Sequence, residues 1–384
     1  MAELIIDSNY YNKLDIEGFS KMMSSPSYCY KFYWLEAIVQ LISANRTEAT
    51  YDEIINKMIA NAWFPVQEYH IHLSGIYGDG DVKDNLEKAV SRLYELTQLP
   101  SNANEIQIMN KLAEFSDDKE LHSYKTELTK NVPYKALSGF ANKGTEKINL
   151  ESSAGRMIAY YNKLSGSELL LPYTFGDDKS LKKVVKFNDG WIQMIQDNMV
   201  SILGWIKYEK VKWLQNNNPE VPGIVYKLAQ DDEKARKLDN VRKLWDAILE
   251  IRPVKNVFMD GDINRESYAV DHFIPRNFVM NDELWNLMPM DPIQNMKKNK
   301  KLPVWENYFG QFANNQFMMY EMIFEKPELL KLYKQCYKDN LHSIWAIQEL
   351  YRKGNSADEF RNILDKNMHP VYESARRQGY DIWD

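Results

Sequence analysis

The chain has 384 residues, of which 44% are hydrophobic, 13% aromatic and 27% charged, the make-up of a soluble globular protein with two or three domains. A formal net charge of −6 excludes the broad basic face of a DNA-coating protein, so any nucleic-acid contact must use a local patch, a partner, or metal ions against phosphate. No apolar run suits a bilayer, the opening MAELIIDSNYYNKLD lacks signal-peptide order, and two cysteines, Cys29 and Cys336, are too few for a disulfide framework or a four-cysteine zinc site; reduced thiols and a cytoplasmic location are expected.

Most of the chain reads as helix. Tyr30 to Ile42 has the apolar density of a buried helix, and Tyr51 to Ala62 follows with Ile54, Ile55, Met58 and Ile59 at helical spacing. The alternating stretch Tyr69 to Leu73 comes next, in an order shared by winged helices and ordinary helical bundles. His70 and His72 would lie on one face if that stretch is a strand, but a third metal ligand is not evident, so a structural role is favoured. Residues 74–84 form a loop by their glycines and aspartates, and helices are expected over roughly 85–99, 102–115 and 119–129. An irregular zone runs from about 131 to 188. Two long amphipathic helices, about 189–216 and 228–250, flank the breaker from Asn216 to Gly223, and residues 305–380 are again helical and aromatic-rich. The expected division is a helical N-terminal region 1–130 with a possible recognition role, a helical middle region 131–250, a chemistry-bearing module 251–310 and a helical C-terminal region 311–384.

Residues 254–303 carry the chemistry. Val257 to Met259 and Tyr268 to Val270 are short strand-like runs with a turn signal, Asp260-Gly261, between them. The second run leads into Asp271-His272-Phe273-Ile274-Pro275. After a loop comes Leu284-Trp285-Asn286-Leu287-Met288-Pro289. Asp291 and Pro292 then supply an N-cap and a first-turn proline for a short helix with Asn295, Lys298 and Asn299 on one face, ended by Pro303. Asp260 to Asn264 resembles the start of a calcium loop, but Arg265 stands where glycine is required; Asp79 and Asp81 fail the same test.

The run VDHFIP...WNLMP...N..K...LP resembles the ββα-metal core of HNH endonucleases, in particular the HNH domain of RNA-guided CRISPR effector nucleases and of bacterial restriction-type HNH proteins. The resemblance covers about 50 residues. It implies that Asp271 and Asn295 hold Mg²⁺ or Mn²⁺, that His272 is the general base, and that Asn286 braces the histidine loop. Lys298 is matched to a phosphate contact, and Lys297, Lys300 and Lys301 to a local nucleic-acid-binding patch. The residue types suit that chemistry. Adjacent residues on a strand point to opposite sides, so Asp271 and His272 can flank a phosphate, and a histidine of ordinary pKa about 6.5 accepts a proton near neutrality. Mg²⁺ takes oxygen ligands and few protein groups. Many HNH proteins carry a CxxC zinc knuckle before the Asp-His strand. Here that stretch is Val257 to Gly261, so a structural zinc is not expected, and packing by Phe258, Trp285 and Trp305 must hold the finger.

The expected fold is therefore mainly α with a small ββα-metal module, α+β overall. The expected activity is metal-dependent hydrolysis of DNA, leaving 5′-phosphate and 3′-hydroxyl ends, with double-stranded DNA as substrate and a possible anti-phage or restriction setting. Residues 1–250 would recognise a target, a signal or a protein partner. The competing readings are an RNA-cleaving or toxin-type nuclease, and an inactive nucleic-acid-binding HNH protein.

Overall fold

Several helices in the computed structural model begin where a short polar side chain takes up their free amides. Thr50, Asn104 and Ser356 each accept from the amide three residues on, while Glu53, Gln107 and Glu359 reach back to the cap residue's own amide. The structure describes residues 4–24, 26, 28–74, 84–228 and 236–384. Helix makes up 62% of the described residues and the sheets are small, so the fold is mainly α and, overall, α+β.

The chain divides into two compact units, Met1–Pro219 with Lys227–Gln230, and Glu220–Tyr226 with Asp231–Asp384. In the first, helices Tyr30–Ser43, Tyr51–Tyr69 and Asn85–Thr97 accompany a three-stranded antiparallel sheet. Val184–Phe187 is its central strand, with Ala49 opposite Val185 on one side and Thr174 opposite Lys186 on the other. The buried Trp34 joins helix to sheet, donating from Nε1 to the Tyr173 hydroxyl at 3.0 Å, and that hydroxyl donates to Pro133 O at 2.6 Å.

Several expected elements differ here. The Tyr69 to Leu73 stretch is not a strand: helix Tyr51–Tyr69 runs through Pro65 and stops at His70, which takes the left-handed conformation at φ 51°. His72 instead meets Glu87, with Nδ1 3.0 Å from Oε1 in a buried pair. The irregular zone contains a helix, Ala154–Ser167, besides two strands of the sheet. The helix expected over 189–216 is two, Asp189–Asp197 and Met199–Asn217, interrupted at Asn198. The second long helix is Asp239–Ile251; the start expected for it, residues 229–235, and most of the expected 74–84 loop (75–83, with Asp79 and Asp81) lie outside the described residues.

In the second unit, helices Asp239–Ile251, Trp305–Glu325, Pro327–Asn340 and Ala357–Arg377 share one apolar core with a two-stranded antiparallel hairpin, Ala269–His272 and Leu287–Met290. Phe273, just past the first strand, lies in that core, stacked on Phe312 at 4.5 Å between ring centres and edge-on to Trp305 at 5.7 Å. Gln316, fully buried, donates to Leu287 O at 2.8 Å and ties helix to strand. A short parallel pair, Leu302–Pro303 with Ile382–Trp383, closes the unit, and Trp383 packs on Phe258 at 4.7 Å. No helix among the described residues is long and apolar enough to cross a membrane.

Candidate active site

The site is built on the hairpin, and its pairing differs from the sequence expectation. Val257 to Met259 is the tip of a turn, not a strand: Ile263 N donates to Val254 O and Asn256 N to Gly261 O, with Gly261 at φ 109°. The partner of Ala269–His272 is Leu287–Met290, which follows it in the chain, with His272 opposite Leu287 and Asp271 opposite Met288. Helix Pro292–Lys298 comes next. Asp291 caps it, accepting from Ile293 N and Gln294 N, with Pro292 in the first turn. Asn299 is not on the helix face; it follows the last turn at φ 48°.

The loop between the strands is pinned by one side chain. Asn286, fully buried, accepts at Oδ1 from Ile274 N and donates from Nδ2 to Ile274 O, both at 2.8 Å, while its own carbonyl accepts from Phe273 N at 2.9 Å. This two-pronged bond holds the residues directly after His272. A carboxylate anchors the loop as well. Glu283 accepts from His342 N and Ser343 N at about 3 Å and from Trp285 Nε1 at 3.1 Å, and Trp285 packs on Trp345.

Strand alternation sets the two central side chains apart, with His272 fully buried and Asp271 17% exposed. His272 Nε2 lies 3.0 Å from Asn281 O. A carbonyl can only accept, so Nε2 carries the proton of the neutral ring and Nδ1 keeps the lone pair. Around that lone pair are Arg236 Nη2 at 3.4 Å and Asp271 Oδ1 at 4.0 Å. Asp282 Oδ1 lies 3.2 Å from His272 Nε2 and 3.6 Å from the Nε atoms of both Arg236 and Arg276. Burial pushes the Asp282 carboxyl up, but His272 and the two guanidinium charges outweigh it and hold it below the usual carboxylate range. Asp282 is therefore charged at neutral pH, a counter-ion for an imidazolium at His272.

On the other side of the strand, Asp271 Oδ2 accepts from Lys298 Nζ at 3.0 Å. Lys298 is fully buried, so its ammonium faces this carboxylate and not open solvent. Asn295 lies one turn earlier on the same helix, partly buried, and its amide has no hydrogen-bond partner among the described residues. Lys297 and Lys301 are exposed and Lys300 half-buried, with Ile293 and Met296 also exposed on the helix. Phe258 meets Tyr308 and Trp383 edge to face, and Trp305 stacks on Phe309.

The structure thus brings together Asp271, His272 and Lys298 directly, with Asn286 behind the histidine. Arg236, Asp282 and the Asn281 carbonyl are part of the same cluster but were not expected from the sequence. Asp282-Glu283, an acidic pair in the spacer before Trp285, was the available signal for the buried anions; Arg236 had none. The described residues contain no group of three or more His, Cys, Asp or Glu arranged to hold a metal ion. An Asp carboxylate with an Asn amide oxygen is, however, the hard, sparse donor set that Mg²⁺ accepts while keeping most of its waters, so Asp271 and Asn295 fit such an ion by donor chemistry.

Residues 257–304 match the family model of HNH endonucleases. The comparisons with curated proteins and with solved structures found no match. The matched segment spans the turn, the hairpin, the capped helix and the start of the closing strand pair, so this module is of HNH endonuclease type. Nuclease chemistry on a nucleic-acid substrate is what that type carries.

Proposed function

We propose that the chain is a metal-dependent HNH endonuclease that hydrolyses phosphodiester bonds in double-stranded DNA. The observation that carries this reading is the tautomer forced on His272: with Nε2 committed to Asn281 O, the free lone pair of Nδ1 sits at the strand end beside Asp271.

In the proposed reaction His272 Nδ1 takes a proton from water as the water oxygen bonds to phosphorus. The bond from phosphorus to the 3′ oxygen breaks, and its electron pair leaves on that oxygen, which takes a proton from solvent water. His272 later returns its proton to solvent, giving 5′-phosphate and 3′-hydroxyl ends. The imidazolium formed on His272 is stabilised by the Asp282 carboxylate 3.2 Å from Nε2. Asn286 keeps the ring in place by fixing Ile274. Asp271 and Asn295 would hold Mg²⁺ or Mn²⁺, and Lys298 fixes the Asp271 carboxylate through its Oδ2. When bound, the ion supplies Lewis-acid stabilisation of the phosphate and the departing oxygen. Lys297, Lys300 and Lys301 provide positive charge beside the site that the net charge of −6 does not provide elsewhere. A role in restriction or anti-phage defence, with residues 1–250 recognising a target or partner, is supported by the family likeness alone.

The test is cleavage of supercoiled plasmid, single-stranded DNA and RNA, with Mg²⁺ or with EDTA, by the wild-type chain and His272→Ala. Plasmid cleavage that needs the ion and falls at least ~10²-fold in the variant is expected. RNA cleavage alone would replace the DNA reading. Absence of ion-dependent cleavage on all three, or a variant as active as wild type, would remove the nuclease assignment.

A further inference from the structure

We propose that Arg236 is a substrate-contacting residue of this site, whose guanidinium rests on the free nitrogen of His272 and moves onto the scissile phosphate when nucleic acid binds; this rests on His272 being the base. Arg236 lies outside the segment that matches the family, just ahead of helix Asp239–Ile251. Its Nη2 is 3.4 Å from His272 Nδ1 and its Nε 3.6 Å from Asp282 Oδ1.

The position is a built one. Asn340, fully buried, donates from the same Nδ2 to Lys237 O and to Asp282 O, each at 2.9 Å. One amide thus ties the backbone beside Arg236 to the loop residue that faces His272. Lys237 Nζ adds an ion pair to Asp339 at 3.0 Å.

Exposure gives the order of events. The Arg236 side chain is 42% exposed while His272 is fully buried, so an incoming phosphate meets the guanidinium before the base. At 3.4 Å the contact with Nδ1 is long for a hydrogen bond and cheap to break. A phosphate oxygen offers a shorter, charge-assisted bond to the same planar fork. The attacking water must lie against Nδ1, within reach of this guanidinium, so the arginine is placed to bind the phosphate that water attacks. Asp282 remains behind to balance His272 as the arginine moves.

The test compares wild type, Arg236→Ala, Arg236→Lys and His272→Ala on whichever nucleic acid the wild type cuts, with thermal melting as a fold control. The expected result is a loss of about 10²-fold or more in kcat for Arg236→Ala at unchanged melting temperature. Partial recovery is expected in Arg236→Lys, and on adding free guanidinium ion to Arg236→Ala at sub-denaturing concentration. Cleavage by Arg236→Ala as fast as wild type, or faster, would overturn the inference and make the arginine a cover over the base. A loss that neither lysine nor guanidinium restores, with a lowered melting temperature, would also overturn it. If the wild type cuts nothing, the base assignment fails separately. Binding of a duplex oligonucleotide by His272→Ala with and without Arg236→Ala then decides: a salt dependence weaker by about one unit supports the phosphate contact, and an unchanged slope overturns it.

Discussion

Replacing Asn286 by alanine removes both prongs that hold the histidine loop. Ile274 is fully buried, and its N–H and C=O each lose a 2.8 Å partner with no route to water. An orphaned buried polar group costs about 1–3 kcal/mol, so the two together should cost roughly 2–6 kcal/mol. For a unit of this size that lowers its melting transition by roughly 4–24 °C. Because the chain has two compact units, hydrogen exchange is the sharper assay. The amide of Ile274, protected in wild type by the Asn286 side chain, should exchange much faster in the variant, and more so than Phe273 N, which keeps its bond to the backbone carbonyl of residue 286. Cleavage should fall mainly in kcat, since the base moves and the surface that receives substrate does not. Asn286→Asp keeps the acceptor for Ile274 N but sets a carboxylate oxygen against Ile274 O. Its folded pKa is therefore raised, and its stability should improve on acidification as the carboxyl regains a proton to donate. An unchanged melting temperature in Asn286→Ala with Ile274 still protected would refute the reasoning.

Asp271→Ala should destabilise far more than Asp271→Asn, because alanine leaves the buried Lys298 ammonium unpaired, at about 3–5 kcal/mol. Both variants should lose cleavage, and equal melting temperatures would show that the pair does not support the fold. In the other unit, burial raises the Asp84 carboxyl to about 7, with amide bonds from Glu87 and Leu86 only partly opposing it. Between about pH 4, where the unfolded group titrates, and about 7 the unfolded chain binds fewer protons, so stability is lost as pH rises. Asp84→Asn keeps an oxygen for the cap on Glu87 N, and its melting temperature should gain on wild type from pH 5 to about pH 7 and level off above that. A gap that does not change with pH would contradict the raised carboxyl.

What was legible in the sequence was whatever depends on neighbours along the chain. The Asp-His dipeptide, the Asp291-Pro292 helix start and the apolar helices of both units are set by residues within a few positions of one another. The hairpin pairing was not. Leu287–Met290 is buried on both sides, so it lacks the alternation that marks a strand, and the nearer run at Val257 competed for the role. Helix Ala154–Ser167 was hidden by Gly155 and Gly166, although Met157, Tyr160, Tyr161 and Leu164 bury one face of it. Arg236 reaches His272 across 36 residues with no pattern around it. Asp282 is an ordinary acidic residue until the loop folds it to within 3.2 Å of His272 Nε2.

The closing strand pair also sets a clock for synthesis. Leu302 N bonds to Asp381 O and Val304 N to Trp383 O, so the end of the finger and the start of helix Trp305–Glu325 find their partners about 80 residues later. At about 5–20 residues per second, a ribosome needs roughly 4–16 s to make that stretch. For that interval Phe258 lacks Trp383, and the hairpin stands without the strand that seals its unit. The core of this unit is therefore completed only after residue 383 has been made.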